Sequence, residues 1–559
     1  MTTLRHIRRF TRRGLLHLAL LAGSALFAAP FFWLVSTSAK APEELYPPRW
    51  KIPVPENVLE SPWMGLRDNE RPLRPLKVSA ADWRRQAPAI RAELTARLHA
   101  LQAELPEFMR PHLGHPDWSE GLFVRLLRRA PDDFFRKSEA ECAAWFAENT
   151  TPELARDVFD QVYRRFALAD INFIGWDMSI EPSRPPIEIP WRVVDGDASI
   201  VPRPEGLLRP AQELHYSFAA TDHFSVQAVL PLQMPLENLK RVRVSNHADL
   251  SWHRLWADLE FSGRKYRSVE AAYLQNNRWQ DSAWQFASRE DTDVMVKSWL
   301  IMKDDGPSGF DQPGQVRLTL HLNKSGPVMT TLGKWSYNYR EVMRQVPLWR
   351  YVRNSLWLVL LNIAGQILGS SMVAFAFARL RWPGREFCFI LVLATLMVPP
   401  QVTLVPVFLI FKQLGWYNTL KPLWVPAFFG SAFYIFLLRQ FMKSIPTDLE
   451  DSAKIDGCSY WGIYCRIILP LIKPALATTA IFTFMSVWND FMGPLIFITR
   501  QDLYPLSLGL FSLHAVYILM AKYELMMAAS VLMTVPVILL FFAAQRHFIQ
   551  GITLTGLKG

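Results

Sequence analysis

Residues 450–462 read EDSAKIDGCSYWG, from Glu450 to Gly462, and lie between two strongly apolar blocks. How this charged, glycine-bearing stretch reads depends on which side of a membrane it faces, so its flanks come first. Upstream lie Leu423–Phe441, Phe387–Phe411 and Ser355–Ala378; downstream lie Ile467–Val487 and Leu525–Phe548. Each run is close to the ~20 apolar residues that cross a hydrocarbon core of about 30 Å. A sixth run, Leu15–Val35, follows the N-terminal MTTLRHIRRFTRRG, which has five arginines and no acid. It exceeds the ~7–15-residue core of a cleavable signal peptide and reads as a retained anchor. Residues between the first run and the rest have ordinary soluble composition. That mixture explains why a chain that is 50% hydrophobic has a mean hydropathy of only +0.07.

With the N-terminus inside the cell, six spans return the C-terminus there. The segments then facing the cytoplasm hold the N-terminal arginines, Arg379, Arg381, Arg385, Arg439, Lys443, Lys454, Arg466, Arg546 and Lys558. The short outer loops hold only Lys412, Lys421, Arg500 and Lys522. This asymmetry follows the positive-inside rule and puts Glu450–Gly462 in the cytoplasm. It also absorbs much of the net charge of +11. No zinc-finger spacing or RNA-binding stretch supports a nucleic-acid partner. Of Cys142, Cys388, Cys458 and Cys465, only Cys142 lies in the soluble part, so no disulfide staples that part. None of the four has metal-ligand spacing.

The spans carry polar features. Asn362, Gln366 and Ser370 recur every four residues and share one helical face. Unsatisfied polar groups in hydrocarbon are costly, so this face meets protein or water, as helix packing or as a substrate path. Gly365 and Gly369 form a GxxxG spacing that permits close helix approach. Pro399, Pro400 and Pro406 interrupt the third span, and Pro470 and Pro474 the entrance to the fifth. Interrupted helices suit a transporter core.

Local chemistry shapes the charged stretch itself. Thr447 and Glu450 have capping-box spacing, which starts a short helix, Asp448–Ile455. Gly457 permits the left-handed turn that ends it. Ser459 then caps a second helix, Tyr460–Ile468. Small residues Ser452, Ala453 and Gly457 let such an elbow dock closely in a groove. Taken alone, these signals equally describe a short loop with helix caps.

The longer stretch EDSAKIDGCSYWGIYCRIILPLIKPAL resembles the EAA loop of ABC-importer permease subunits. Glu450, Ala453, Asp456, Gly457, Leu469 and Pro470 match in type and in spacing or nearly so, whereas Asp451 and Ser452 stand where the pair of alanines is usual. FFWLVSTSAK, NSLWLVLLN, MVPPQVTLVPVFLIF, LGWYNT, VWNDFMGPLIF and QRHFIQGITLTGLKG resemble, in order, the carbohydrate-importer permeases of the MalG-like type. The resemblance covers about 1–45 and 336–559. It implies an α-helical polytopic protein of the bacterial inner membrane, with six transmembrane helices and a MetI/MalG-like permease core. Residues 1–40 and 336–559 would form that core, with a coupling loop at 446–470. The implied partners are a cytoplasmic ABC ATPase dimer, a second permease subunit (MalF-like or identical) and an extracytoplasmic solute-binding protein. By resemblance, Glu450, Ala453, Asp456 and Gly457 are ATPase-coupling residues, and the loop Gly493–Glu524 faces the binding protein. Trp488, Asn489 and Asp490 would border the substrate path, joined by Asn362 and Gln366 of the polar stripe. The chain has no nucleotide motif: GKW at Gly333–Trp335 lacks the glycine spacing and Ser/Thr of a P-loop. No cofactor is expected on it, ATP and Mg²⁺ being used by the partner ATPase.

Residues 41–335 form an insertion that this topology places outside the cytoplasmic membrane and about which the resemblance is silent. Residues 42–76 are proline-rich and read as an extended tether. From about 80 to 170 helical patterns dominate, including TPELARDVFDQVYRRFAL with Thr151 as N-cap. Glu181–Pro190 reads as a linker, and about 190–330 alternates like the strands of a β-sandwich. Trp252, Trp256, Trp279, Trp284 and Trp299 suit core packing first and a sugar-stacking face second. His112, His115 and Asp117 suit a surface turn before a metal site.

No paired-carboxylate or nucleophile–base constellation marks an enzyme. The leading expectation is therefore a permease subunit importing a sugar or oligosaccharide, with a non-sugar solute as the alternative. A membrane-anchored glycan-binding or sensing protein would need no elbow. An ion-coupled transporter would bury ionisable groups at mid-membrane, where these spans have essentially none.

Overall fold

The computed structural model describes residues 2–45, 50–67, 70–75, 78–131, 137–182, 188–203, 210–287, 297–519 and 522–553. The side chains of the N-terminal arginines and Arg546, and all of Lys558, lie outside the described residues. The chain forms two compact units, chiefly Met1–Ser38 with Tyr339–Gly559 and Ala39–Asp291 with Ser298–Asn338.

The first unit is helical. We number its main helices α1 (Thr2–Ser38), α2 (Leu348–Arg379), α3 (Arg385–Ala394), α4 (Pro400–Gln413), α5 (Ala432–Lys443), α6 (Asp448–Ile455), α7 (Lys473–Trp488), α8 (Leu506–Leu519) and α9 (Tyr523–Thr553). Among the described residues, four runs are long and apolar enough to cross a membrane: Leu16–Ser38, Leu348–Arg379, Lys421–Lys443 and Tyr523–Ala543.

The other two expected spans are bent. Arg385–Met397 meets Gln401–Gln413 at 103°, and Tyr460–Leu471 meets Lys473–Trp488 at 76°. Proline explains both. Val398 is extended and Pro400 opens α4, because proline pushes the residue before it out of the helical region. Pro470 has no amide hydrogen to donate back along the helix. The helix expected over Tyr460–Ile468 is accordingly α-helical only to Ile463, and Tyr464–Ile468 widens into a π turn.

The GxxxG glycines of α2 receive a short 3-10 segment, Val425–Phe429, where the spacing suggested a regular helix. A Cβ on Gly369 would stand 2.3 Å from the Phe428 carbonyl oxygen, and one on Gly365 would stand 2.7 Å from the Phe428 ring. The polar stripe fastens the same segment. Asn362 Nδ2 donates to Leu423 O at 2.9 Å, and the Ser370 hydroxyl accepts from Ser431 N at 3.2 Å.

The second unit has two cores. Helices Ala80–Ala100, Pro116–Leu127, Glu139–Glu148 and Pro152–Val162 bury Leu94, Trp118, Phe123, Phe146 and Phe159 together. Ser79, Ser138 and Thr151 cap three of them. The helical region stops at Val162, short of the expected boundary, because Phe166–Gly175 is a strand buried on both faces. Both-face burial removes the alternation that would have marked it.

Among the described residues, fourteen strands join one sheet. Its pairings are antiparallel except where Trp279–Phe286 runs parallel to Leu300–Pro307 over three residue pairs. Strands distant in the sheet, such as Phe166–Gly175 and His223–Pro231, share one apolar core, so the sheet curls around it. Of the expected linker, Glu181 and Pro182 belong to a strand paired with Asn172–Ile174, and 183–187 lie outside the described residues. The expected tether is also built in: Glu60–Ser61 pairs with Tyr216–Ser217, and Leu66 enters the helical core.

Trp252, Trp284 and Trp299 are buried, while Trp256 and Trp279 are half-buried. His112 packs on Phe159 and Tyr163, and His115 caps a helix by accepting from Asp117 N at 3.3 Å. Among the described residues no cluster suits a metal.

The ends of this unit are tied together. Lys334 Nζ reaches Glu44 Oε1 at 2.5 Å and Pro53 O at 2.7 Å, and Asn338 Nδ2 donates to Lys40 O at 2.8 Å. Burial pushes the Lys334 ammonium down to about 8 against the opposing pull of Glu44. In the membrane unit the flanking hydroxyls of Ser38 and Tyr339 meet at 2.6 Å.

Gly369→Ala is expected to cost about 1–3 kcal/mol, since its methyl meets backbone that cannot rotate away. Gly23→Ala, with nothing within 4 Å of the new methyl, should leave the detergent-solubilised protein unchanged or slightly more stable. Thermal unfolding of both variants checks this.

Candidate functional site

The charged stretch folds as an elbow. Gly457 takes φ +77°, a left-handed conformation that ends α6. Ser459 caps the next turn by accepting from Gly462 N at 3.2 Å. The capping box expected at Thr447 does not form. Thr447 is itself helical, with no side-chain cap bond, and the Glu450 carboxylate is taken elsewhere. Glu450 is 5% exposed and its Oε1 lies 2.9 Å from Arg379 Nε.

The four expected coupling residues therefore divide. Glu450 and Ala453 turn inward, Ala453 packing beside Ala374, Phe375, Met442 and Tyr464. Asp456 and Gly457 are exposed at the tip. Around them Ile455 is 86% exposed, and Leu449, Tyr460 and Trp461 are also open. Asp451 beside Lys454 raises that ammonium's pKa and keeps it charged. The elbow thus presents an apolar knob in a charged ring, on an inward-facing base.

Two arginines stitch that base to the spans. Arg379, at the end of α2, donates from Nη2 to Met442 O and to Ile445 O, the latter at 2.7 Å. Arg439 of α5 answers by donating to Phe377 O at 3.3 Å and pairing with Glu386 at 3.0 Å. Each helix thus supplies a guanidinium to carbonyls at the other's C-terminal end. Sequence reasoning counted both arginines only as orientation charges. An arginine closing a span, with an acid in the following elbow, was the available signal. Below them, the Tyr464 hydroxyl in the π turn meets Ser371 Oγ of α2 at 2.6 Å.

The expected path residues separate too. Trp488 is buried, stacked on Phe484 with centroids 5.4 Å apart, and its Nε1 donates to Met533 O at 3.2 Å. Asp490 Oδ1 accepts from Gly493 N at 3.1 Å, and its carbonyl accepts from Ser507 at 2.6 Å. Asn362 is committed as above, and half-buried Gln366 accepts from Ser370 at 3.1 Å. Asn489 differs. It lines a cavity of about 250 Å³ with Phe491, Phe511, His514, Tyr517 and Ser530. Most of these lie in the segment after α7. Phe511 and His514 were not singled out from sequence, because α8 is apolar around most of its circumference and gives no face to read.

Residues 365–554 match the family described as the binding-protein-dependent transport system inner membrane component. The arabinooligosaccharides transport system permease protein AraQ of Halalkalibacterium halodurans is 36% identical over 233 residues, 42% of this chain and 81% of that protein. The lactose transport system permease protein LacG of Rhizobium radiobacter is 36% identical over 198 residues, 35% of this chain and 71% of that protein. Among solved structures, a bacterial ABC transporter involved in import of the acidic polysaccharide alginate is 22% identical, with a TM-score of 0.34, over 38% of this chain and 79% of that one.

Tyr464→Phe removes the hydroxyl bond to Ser371 without orphaning it, because Ser371 also donates to Ile367 O. The expected cost is about 0.5–1.5 kcal/mol. Combined with Ser371→Ala it should show non-additive coupling in a double-mutant cycle of thermal stability.

Proposed function

This chain belongs to the binding-protein-dependent transport inner membrane component family, a transport component rather than an enzyme, and we propose that it is the permease subunit of an ATP-driven importer of a sugar or oligosaccharide. The sugar class draws support from the arabino-oligosaccharide and lactose permeases it resembles. Its partners are a cytoplasmic ATPase pair that uses ATP and Mg²⁺, an extracytoplasmic solute-binding protein, and a second permease subunit of MalF-like type. Counting each bent pair as one gives six spans, with both termini and the elbow in the cytoplasm. The insertion of about 41–335 is then outside the membrane, with its strands in the one curled sheet.

The observation that carries this reading is the elbow. Exposed Ile455, Tyr460 and Trp461 form an apolar tip of the kind that fills a groove, on a buried, ion-paired base. Apolar and aromatic anchors surrounded by charge are what dominate protein interfaces. ATP on one side and loaded binding protein on the other each favour one conformation, and the permease couples them by binding each state differently. On the far side, the cavity lined by Asn489, Phe491, Phe511 and His514 offers aromatic faces and hydrogen-bonding groups to a sugar ring.

Ile455→Asp is expected to cost more than about 2 kcal/mol at the ATPase contact and so abolish co-purification of the ATPase. Gly457→Asn should retain substrate-stimulated ATP hydrolysis, because asparagine tolerates the left-handed conformation, whereas Gly457→Val should lose it. Full activity in Ile455→Asp and Gly457→Val alike would sink the assignment.

A further inference from the structure

Resting on the permease reading, we infer that Arg379 is the positioning residue that fixes the elbow to the membrane helices, so that motion at its tip reaches α2 and α5 together. Arg379 is the last residue of α2. Its guanidinium binds three groups at once: Glu450 Oε1 at 2.9 Å, Ile445 O at 2.7 Å and Met442 O. The side chains of Arg379 and Glu450 are 6% and 7% exposed. Glu450 belongs to the elbow, whereas Met442 and Ile445 lie at the end of α5 and just beyond it.

Apart from the Tyr464–Ser371 hydroxyl pair, the other contacts of the elbow's base are apolar. Ala453, Cys458 and Ile463 sit in a cluster with Ala374, Phe375, Leu438 and Met442. Apolar contacts of this kind are non-directional and permit sliding. A guanidinium whose Nη2 donates to the Met442 and Ile445 carbonyls is held in orientation against the end of α5, and it keeps the buried Glu450 carboxylate beside it by charge. The remaining charges of α6, namely Asp448, Asp451 and Lys454, face outward. The charged link from elbow to spans, and the one that reaches α2 and α5 together, therefore runs through Arg379, while Tyr464–Ser371 ties the elbow to α2 alone. Arg439 completes the frame by holding α5 to Phe377 O of α2 and to Glu386 of α3. Lysine reaches Glu450 but lacks the fork for the carbonyls, and methionine leaves the Glu450 carboxylate buried and unpaired.

The test uses the full chain assembled with its ATPase and binding protein in lipid vesicles, reading sugar uptake per ATP hydrolysed. This ratio is insensitive to a simple loss of protein. For Arg379→Met and Glu450→Gln the ATPase should still co-purify while uptake per ATP falls at least about tenfold, within the range of an allosteric coupling energy. Arg379→Lys should fall between those variants and the unaltered protein. The exchange R379E with E450R should recover more than either single change. Unaltered uptake per ATP in Arg379→Lys, Arg379→Met and Glu450→Gln would overturn the proposal, as would an exchange no better than its singles. Should Arg379→Met fail to accumulate, Arg379→Lys, Glu450→Gln and the exchange decide. If the unaltered chain neither retains an ATPase nor imports with ATP, the permease reading fails instead.

Discussion

A guanidinium buried at the end of a membrane helix must have its charge met, and the structure around Arg379 is organised by that demand. Glu450 supplies the charge, and the Met442 and Ile445 carbonyls where α5 ends supply acceptors. Arg439 solves the same problem in the opposite direction. Two helices that would otherwise expose bare carbonyls instead terminate against each other. The elbow is joined to that junction by a carboxylate that a local capping box would have consumed.

The elbow then separates two requirements along a few residues. Its base is built for fixed geometry and its tip for association, with Gly457 marking the change. Bent spans serve a related purpose. A π turn at Tyr464–Ile468 and the break at Pro399–Pro400 leave backbone groups outside regular ladders. Such irregularity persists at membrane depth only where protein or a water-lined cavity satisfies it. The segment Val425–Gly430 illustrates this, packed into the glycines of α2 and held by Asn362 and Ser370.

Much of the elbow was legible because its signals are local: a left-handed turn needs glycine, and a serine before a helix caps it. The apolar runs were legible because length alone marks them. What stayed hidden depends on partners far along the chain. Thr447 and Glu450 have the spacing of a capping box, but spacing cannot show that Arg379 competes for the carboxylate. Gly365 and Gly369 announce a close approach without saying what approaches. Phe166–Gly175 lost its alternation because both its faces are covered. The parallel join between Trp279–Phe286 and Leu300–Pro307 has no signature in either strand. Asn489 was found by resemblance, whereas Phe511 and His514, on an apolar helix, needed the cavity to be seen.

The tied ends of the second unit bear on how so large a segment can interrupt a run of membrane helices. Closing a flexible loop costs entropy that grows with its length, by about 0.6 kcal/mol per doubling. Here Lys334–Glu44 and Asn338–Lys40 hold the two ends of the segment together, and Ser38 and Tyr339 meet on the membrane side. For α1 and the helices that follow, the intervening chain behaves as a connection of a few residues, whatever its contour length. A folded domain with adjoining termini is entropically almost invisible to the scaffold that hosts it, so its size can change without disturbing the permease.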